Sequence, residues 1–156
     1  MIIAGTGHRP SAIGGYKLPN PTYNKICQEI EKVLLDLKPD KVLSGMALGY
    51  DQYLANIARK LKIPFVAVVP FDGQDNNWIP SSKRTYQTLL KLASDIVVVS
   101  SGGYSAYKMQ IRNQYLVDNC DILLACYNGE KSGGTANCVK YAQSVNKQII
   151  FIDPRI

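Results

Sequence analysis

The residues of this chain that could do chemistry gather beside short glycine runs. Its sole histidine, His8, stands next to Arg9 in the segment Gly5-Thr6-Gly7-His8-Arg9-Pro10. Arginine forms bidentate pairs with phosphate or carboxylate. An imidazole can hydrogen-bond a ribose or phosphate, or act as acid or base. Similar segments follow along the chain: "SGMALGYD" over 44–51, "PFDGQDNNW" over 70–78, "SSGGYSAY" over 100–107 and "GEKSGGT" over 129–135. Glycine lets backbone N–H groups approach an anion, and a helix start adds the positive end of its dipole. A phosphate cradle is the expected chemistry. The competing reading is that the glycines only turn tight corners and that His8 pins a loop through its ring nitrogens.

Single residues sharpen this. Asp51, at a predicted helix start, either caps that helix or hydrogen-bonds ligand hydroxyls. Met109, Arg112 and Leu116 share one helical face, which places a charge on a largely apolar stripe. Such an arginine needs an anion or a carboxylate to offset its desolvation. Asp118 and Asp121 are the structural candidates, and a ligand phosphate is the functional one. Gln74 and Trp78 lie on a long loop, where Trp78 either stacks on a base or seals the edge of the core. A lone histidine with no paired cysteines argues against a transition-metal site.

The elements that must position these residues follow from hydrophobic periodicity. Strands are predicted at Met1–Ala4, Lys41–Leu43, Pro64–Val69, 95–100, 121–127 and Gln148–Ile152. Helices are predicted at Thr22–Leu37, Leu48–Leu61, Ser82–Ala93, Lys108–Asn119 and Ala136–Val145. The stretch "RPSAIGGYKLPNP" reads as a loop without regular structure, because it holds two adjacent glycines and three prolines. Short apolar strands alternating with helices predict an α/β sandwich on a mainly parallel sheet. Ligands of such sheets bind beyond the carboxyl ends of the strands.

Composition bounds the partners. A chain of 156 residues with 46% hydrophobic content is expected to form one domain around a real core. The formal charge of +6 favours an anionic partner. Basic residues are spread rather than blocked, so a small phosphorylated ligand is expected ahead of nucleic acid. No apolar run approaches the roughly 18 residues of a membrane span, and the N-terminus has no signal-peptide pattern. Cys27, Cys120, Cys126 and Cys138 show no CxxC spacing and no disulfide framework, which fits a reducing cytoplasm.

The ordered run "SGMALGYDQYLANIA", "PFDGQDNNW", "QIRNQYLVDNCDILLACY" and "KSGGTANCVKYA" resembles the YpsA-like branch of the SLOG superfamily over nearly the whole chain. Those are Rossmann-like proteins common in bacteria and their phages. The resemblance implies a nucleotide-type ligand, possible pairing of subunits, and a family spanning lonely-guy phosphoribohydrolases, DNA-processing proteins and sensors of NAD-derived nucleotides. Arg112 matches the arginine that lonely-guy enzymes carry on the helix before their glycine loop. Cys138, however, stands where those enzymes have a catalytic glutamate, so a binder is expected rather than an enzyme.

The resulting expectation is a Rossmann-like three-layer sandwich that binds a phosphorylated nucleoside of the NAD or ADP-ribose type, as sensor or sequestering protein. Gly5, Thr6, Gly7, His8 and Arg9, with Ser132, Gly133, Gly134 and Thr135, would hold phosphates. Ser44, Gly45, Met46, Ala47 and Asp51 would line the ribose. Arg112, with Asn113 beside it, would neutralise charge, and Gln74 or Trp78 would close over the base. A bound nucleotide is the one cofactor-like group expected. The alternatives are a nucleotide N-glycosidase and a single-stranded DNA binder.

Overall fold

A computed structural model describes residues 1–156. In chain order the elements are β1 (Ile2–Gly7), a 3-10 turn (Pro10–Ala12), α1 (Pro21–Leu37), β2 (Lys41–Ser44), α2 (Tyr50–Lys60) and β3 (Phe65–Val69). They continue with α3 (Pro80–Leu92), β4 (Asp95–Val98), α4 (Ala106–Asp118), β5 (Ile122–Cys126), α5 (Gly134–Ser144) and β6 (Gln148–Ile152). All strand pairs are parallel and the sheet order is β4-β3-β2-β1-β5-β6. The predicted strand and helix alternation is the observed one.

The strands split their side chains between two layers because successive residues face opposite sides of a sheet. Ile3, Val42, Phe65, Ala67, Ile122 and Leu124 join Ile26, Ile30 and Leu34 of α1, Leu54 of α2 and Leu89 of α3 in the larger core. Ala4, Leu43, Val66, Val68 and Leu123 face the other way, against Leu116 of α4 and Ala142 of α5. The central strands β3 and β5 are buried along their whole length, as expected of strands covered on both faces. The Asn20 side chain caps α1 by accepting from the Tyr23 amide at 2.9 Å, with Pro21 in the first turn.

Several boundaries differ from expectation, and two of them concern the site. The first strand runs on through Gly5-Thr6-Gly7, where a glycine turn was expected. These glycines are needed for close approach of α2. A Cβ on Gly5 would stand 2.2 Å from Leu54 Cδ2, and one on Gly7 would stand 2.3 Å from Tyr50 Cγ. The last helix starts at Gly134, two positions ahead of the expected Ala136, because Gly133 takes φ +105 and forms its N-cap. The loop after His8 also holds the short 3-10 turn, although no regular structure was expected there.

Candidate functional site

Strand order reverses at β1, whose neighbours are β2 on one side and β5 on the other. Chains leaving such a point diverge to opposite faces and leave a crevice. A cavity of about 230 Å³ lies there. Its lining brings together Gly5, Thr6, Gly7, His8 and Arg9 from the first strand and its exit, and Ser132, Gly133, Gly134 and Thr135 from the start of α5. Arg112 and Asn113 of α4, with Ala47 and Asp51, complete the predicted residues found there.

Two runs of backbone N–H groups border this cavity without acceptors. No side chain caps α5, so the amides of Gly134 and Thr135 lack partners, as the first turn of a helix must. The amides of His8 and Arg9 also find no acceptor in the chain. A Cβ on Gly134 would meet nothing within 4 Å, so the absent side chain leaves the approach to the helix end open. Partial positive charge from the α5 start therefore faces the cavity, with the free His8 and Arg9 amides on its lining residues.

His8 is anchored as well as cavity-lining. Its Nε2 accepts the Asn128 amide at 3.0 Å. That bond ties the β1 exit to the β5 exit, a different segment from the long loop expected. It also assigns the proton of the neutral ring to Nδ1. Burial lowers the His8 pKa, outweighing the nearby Glu130 carboxylate, so the ring stays neutral at pH 7.

Arg112 and Asp51 form the buried polar centre. Arg112 Nη1 donates to the Gly45 carbonyl at 2.6 Å and the Val68 carbonyl at 3.4 Å. Asp51 Oδ2 accepts from the Ala47 amide at 3.3 Å, and its side chain does not act as a helix N-cap. A Cβ on Gly45 would fall 2.6 Å from Arg112 Nη1 and 2.9 Å from Asp51 Oδ2, so only glycine lets the two groups approach there. Burial pushes the Asp51 carboxyl up to about 6 despite the opposing pull of Arg112. Burial likewise lowers the Arg112 pKa, against the Asp51 charge. Asp51 Oδ1 and Arg112 Nε have no hydrogen-bond partner. The expected carboxylate partners are engaged elsewhere: Asp118 accepts from Tyr141 at 2.7 Å, and Asp121 accepts from the Ile2 amide at 2.6 Å.

The remaining predicted residues lie outside the cavity lining. Ser44 Oγ donates to the Asp51 carbonyl at 2.7 Å and accepts from the Met46 amide at 3.2 Å, so it shapes the turn from within. Met46 is fully buried at φ +62, and the Gly45 carbonyl is taken by Arg112. Gln74 Nε2 donates to the Gly45 carbonyl and to Tyr86 Oη, both at 3.3 Å. Trp78 packs edge-on against Tyr86, with ring centres 5.1 Å apart. The loop after β3 folds onto α3, where its indole finds an apolar partner, so neither Gln74 nor Trp78 reaches over the cavity.

Sequence reasoning passed over three lining residues: Met109, Leu116 and Glu130. The first two share the helical stripe of Arg112, which was the available signal. Glu130 stood inside a segment chosen for its glycines. Cys138, at the position of the lonely-guy glutamate, belongs to the smaller core. Burial pushes its thiol up to about 12. No group of three or more His, Cys, Asp or Glu side chains is placed to hold a metal, and no helix is long and apolar enough to cross a membrane.

Comparison with known proteins agrees with this architecture. The chain is 32% identical over 146 residues to the SPbeta prophage-derived protein YoqJ of Bacillus subtilis, covering 81% of this chain and 85% of YoqJ. Its fold is similar to DNA processing protein A from Streptococcus pneumoniae, with TM-score 0.69 and 17% identity over 99% of this chain. The chain spans half the length of that protein, at 50%. It is also similar to the molybdenum cofactor carrier protein of Chlamydomonas reinhardtii, with TM-score 0.60, 16% identity and coverage of 96% and 75%. A family model described as the YspA SLOG family matches residues 3–155, and the chain belongs to that family.

Proposed function

We propose that this protein binds a phosphorylated nucleoside of the NAD- or ADP-ribose-derived kind in the cavity between β1 and β5, as a sensor or sequestering protein. One observation carries the reading. Asp51 and Arg112 line the same cavity as two sets of free amides, and beside the α5 amides a Cβ on Gly134 would meet open space. Buried polar atoms without partners are costly. A pentose hydroxyl donating to Asp51 and a phosphate accepting from the α5 amides, close to the Arg112 charge, would use this lining together. Thr6, His8 and Asn113 stand on the same lining, and Arg9 adds an exposed cation at its edge. Likeness to a cofactor carrier and a DNA-processing protein supports a binding role in general.

Titration calorimetry with ADP-ribose, AMP, NAD and adenosine tests this. The phosphorylated ligands bind and adenosine does not. Gly134→Asp keeps the fold, because an acidic residue in the first helical turn is favourable, yet it abolishes binding by placing a carboxylate in the phosphate position. Equal binding of adenosine and AMP overturns the reading. Chromatography of the same mixtures decides the N-glycosidase alternative: release of free base makes the protein an enzyme. Single-stranded DNA binding would instead show a steep loss of affinity with salt.

A further inference from the structure

The cavity between β1 and β5 holds less than the roughly 300–1,000 Å³ that a drug-sized ligand occupies, and its expected base-closing residues point elsewhere. A second cavity of about 190 Å³ lies directly beside it. Arg9 and Ala47 line the first, and the next residues in the chain, Pro10 and Leu48, line the second. The partition is thin. A Cβ on Gly49, which lines the second cavity, would come within 2.6 Å of the His8 carbonyl and 3.0 Å of Arg9 Cα. The linings of the two cavities therefore touch along this wall.

The chemistry of the second cavity suits a flat heterocycle. Tyr16 and Leu18 border it, 64% and 46% exposed, with nothing else covering their apolar surface. Gln52 is only 6% exposed and lines the same cavity. Its Nε2 donates to the Met46 carbonyl at 3.3 Å, which fixes the amide orientation. No donor in the chain reaches its Oε1. That atom is a held acceptor with its free side open to the cavity.

We infer that this second cavity takes the nucleobase of the ligand whose phosphate sits in the first, and that Gln52 Oε1 selects a base bearing an exocyclic amine. The inference rests on the phosphate reading above. Tyr16 and Leu18 would cover the ring, and the Gln52 carbonyl would accept its amino N–H. A base with a carbonyl at that position sets acceptor against acceptor.

The test compares AMP, IMP and ribose 5-phosphate by calorimetry on the wild type, Gln52→Met and Tyr16→Ser. The wild type binds AMP about tenfold more tightly than IMP, the scale of one hydrogen bond to a buried group. Gln52→Met removes that preference and leaves ribose 5-phosphate unchanged. Tyr16 is exposed, so Tyr16→Ser folds normally; it weakens AMP severalfold and again spares ribose 5-phosphate. Equal wild-type affinity for AMP and IMP, or for AMP and ribose 5-phosphate, overturns the base subsite while the phosphate site stands. Failure of all three ligands to bind overturns both.

Discussion

Ser44-Gly45 after β2 and Ser132-Gly133 after β5 both lead from a strand toward a helix, and in sequence they promise the same anion-binding turn. In the fold their surroundings are opposite. Around Gly45 every approach is occupied: Arg112 and Asp51 lie within 3 Å of a Cβ position, and Ser44 is bonded on both sides. Around Gly133 and Gly134 a Cβ would meet nothing within 4 Å, and the helix start has no cap. The first turn therefore builds the scaffold that holds Arg112, and the second leaves its donors unpartnered and open. A glycine beside a helix marks close approach, but sequence spacing does not say whether protein or ligand makes the approach.

Breaking the scaffold half should have the largest effect. Arg112→Met removes the donor to the Gly45 carbonyl and takes from Asp51 the cation that most lowers its pKa. Denaturant unfolding should show a loss of about 3–5 kcal/mol. A loss below about 1 kcal/mol would mean that this half is held by other contacts.

The Asp51 carboxyl gives a pH signature of nearly that size. Its folded-state pKa is raised from 3.8 to about 6, so the folded protein keeps a proton that the unfolded chain releases. The contribution is greatest below about pH 4 and is lost as pH rises to about 6, by roughly 3 kcal/mol. Stability of the wild type relative to Asp51→Asn, measured at pH 4 and pH 7, should fall by that amount. A difference that stays constant with pH would place the carboxyl in a wetter setting than its burial indicates.

Substituting the paired glycines sharpens the contrast. Gly45→Ala should cost about 1–3 kcal/mol by overpacking against Arg112 and Asp51. Gly134→Ala should change thermal stability least, within about 0.5 kcal/mol, while weakening ADP-ribose by narrowing the cavity. Equal stability losses at the two glycines would erase the distinction between closed and open turns.

Much of the fold was legible because periodicity is a local property. Ile26, Ile30 and Leu34 repeat at helical spacing and all three are buried in α1. The continuous apolar run over Phe65–Val69 is a strand buried on both faces. The first strand was cut short because glycine has little strand preference. The demand for Gly5 and Gly7 comes from Leu54 and Tyr50, more than forty positions along the chain. The site was legible in outline for the same reason. Arg112 stood out as a charge on an apolar stripe, yet its acceptors lie just past β2 and on β3, beyond the reach of any spacing argument. Trp78 offered a base platform in sequence and found Tyr86 in the fold.

The amino-acid order alone determined the strand and helix alternation and the clustering of glycine, hydroxyl and cationic residues at the strand ends, because both depend on neighbours a few residues apart. Only the tertiary structure decided which Ser-Gly turn closed on an arginine and which stayed open. It also decided that His8 binds the Asn128 amide 120 residues away and that Arg112 reaches a carbonyl 67 residues away. The partner of a desolvated group is whatever the sheet order brings within about 3 Å, and that order is a property of the packed layers, not of local spacing.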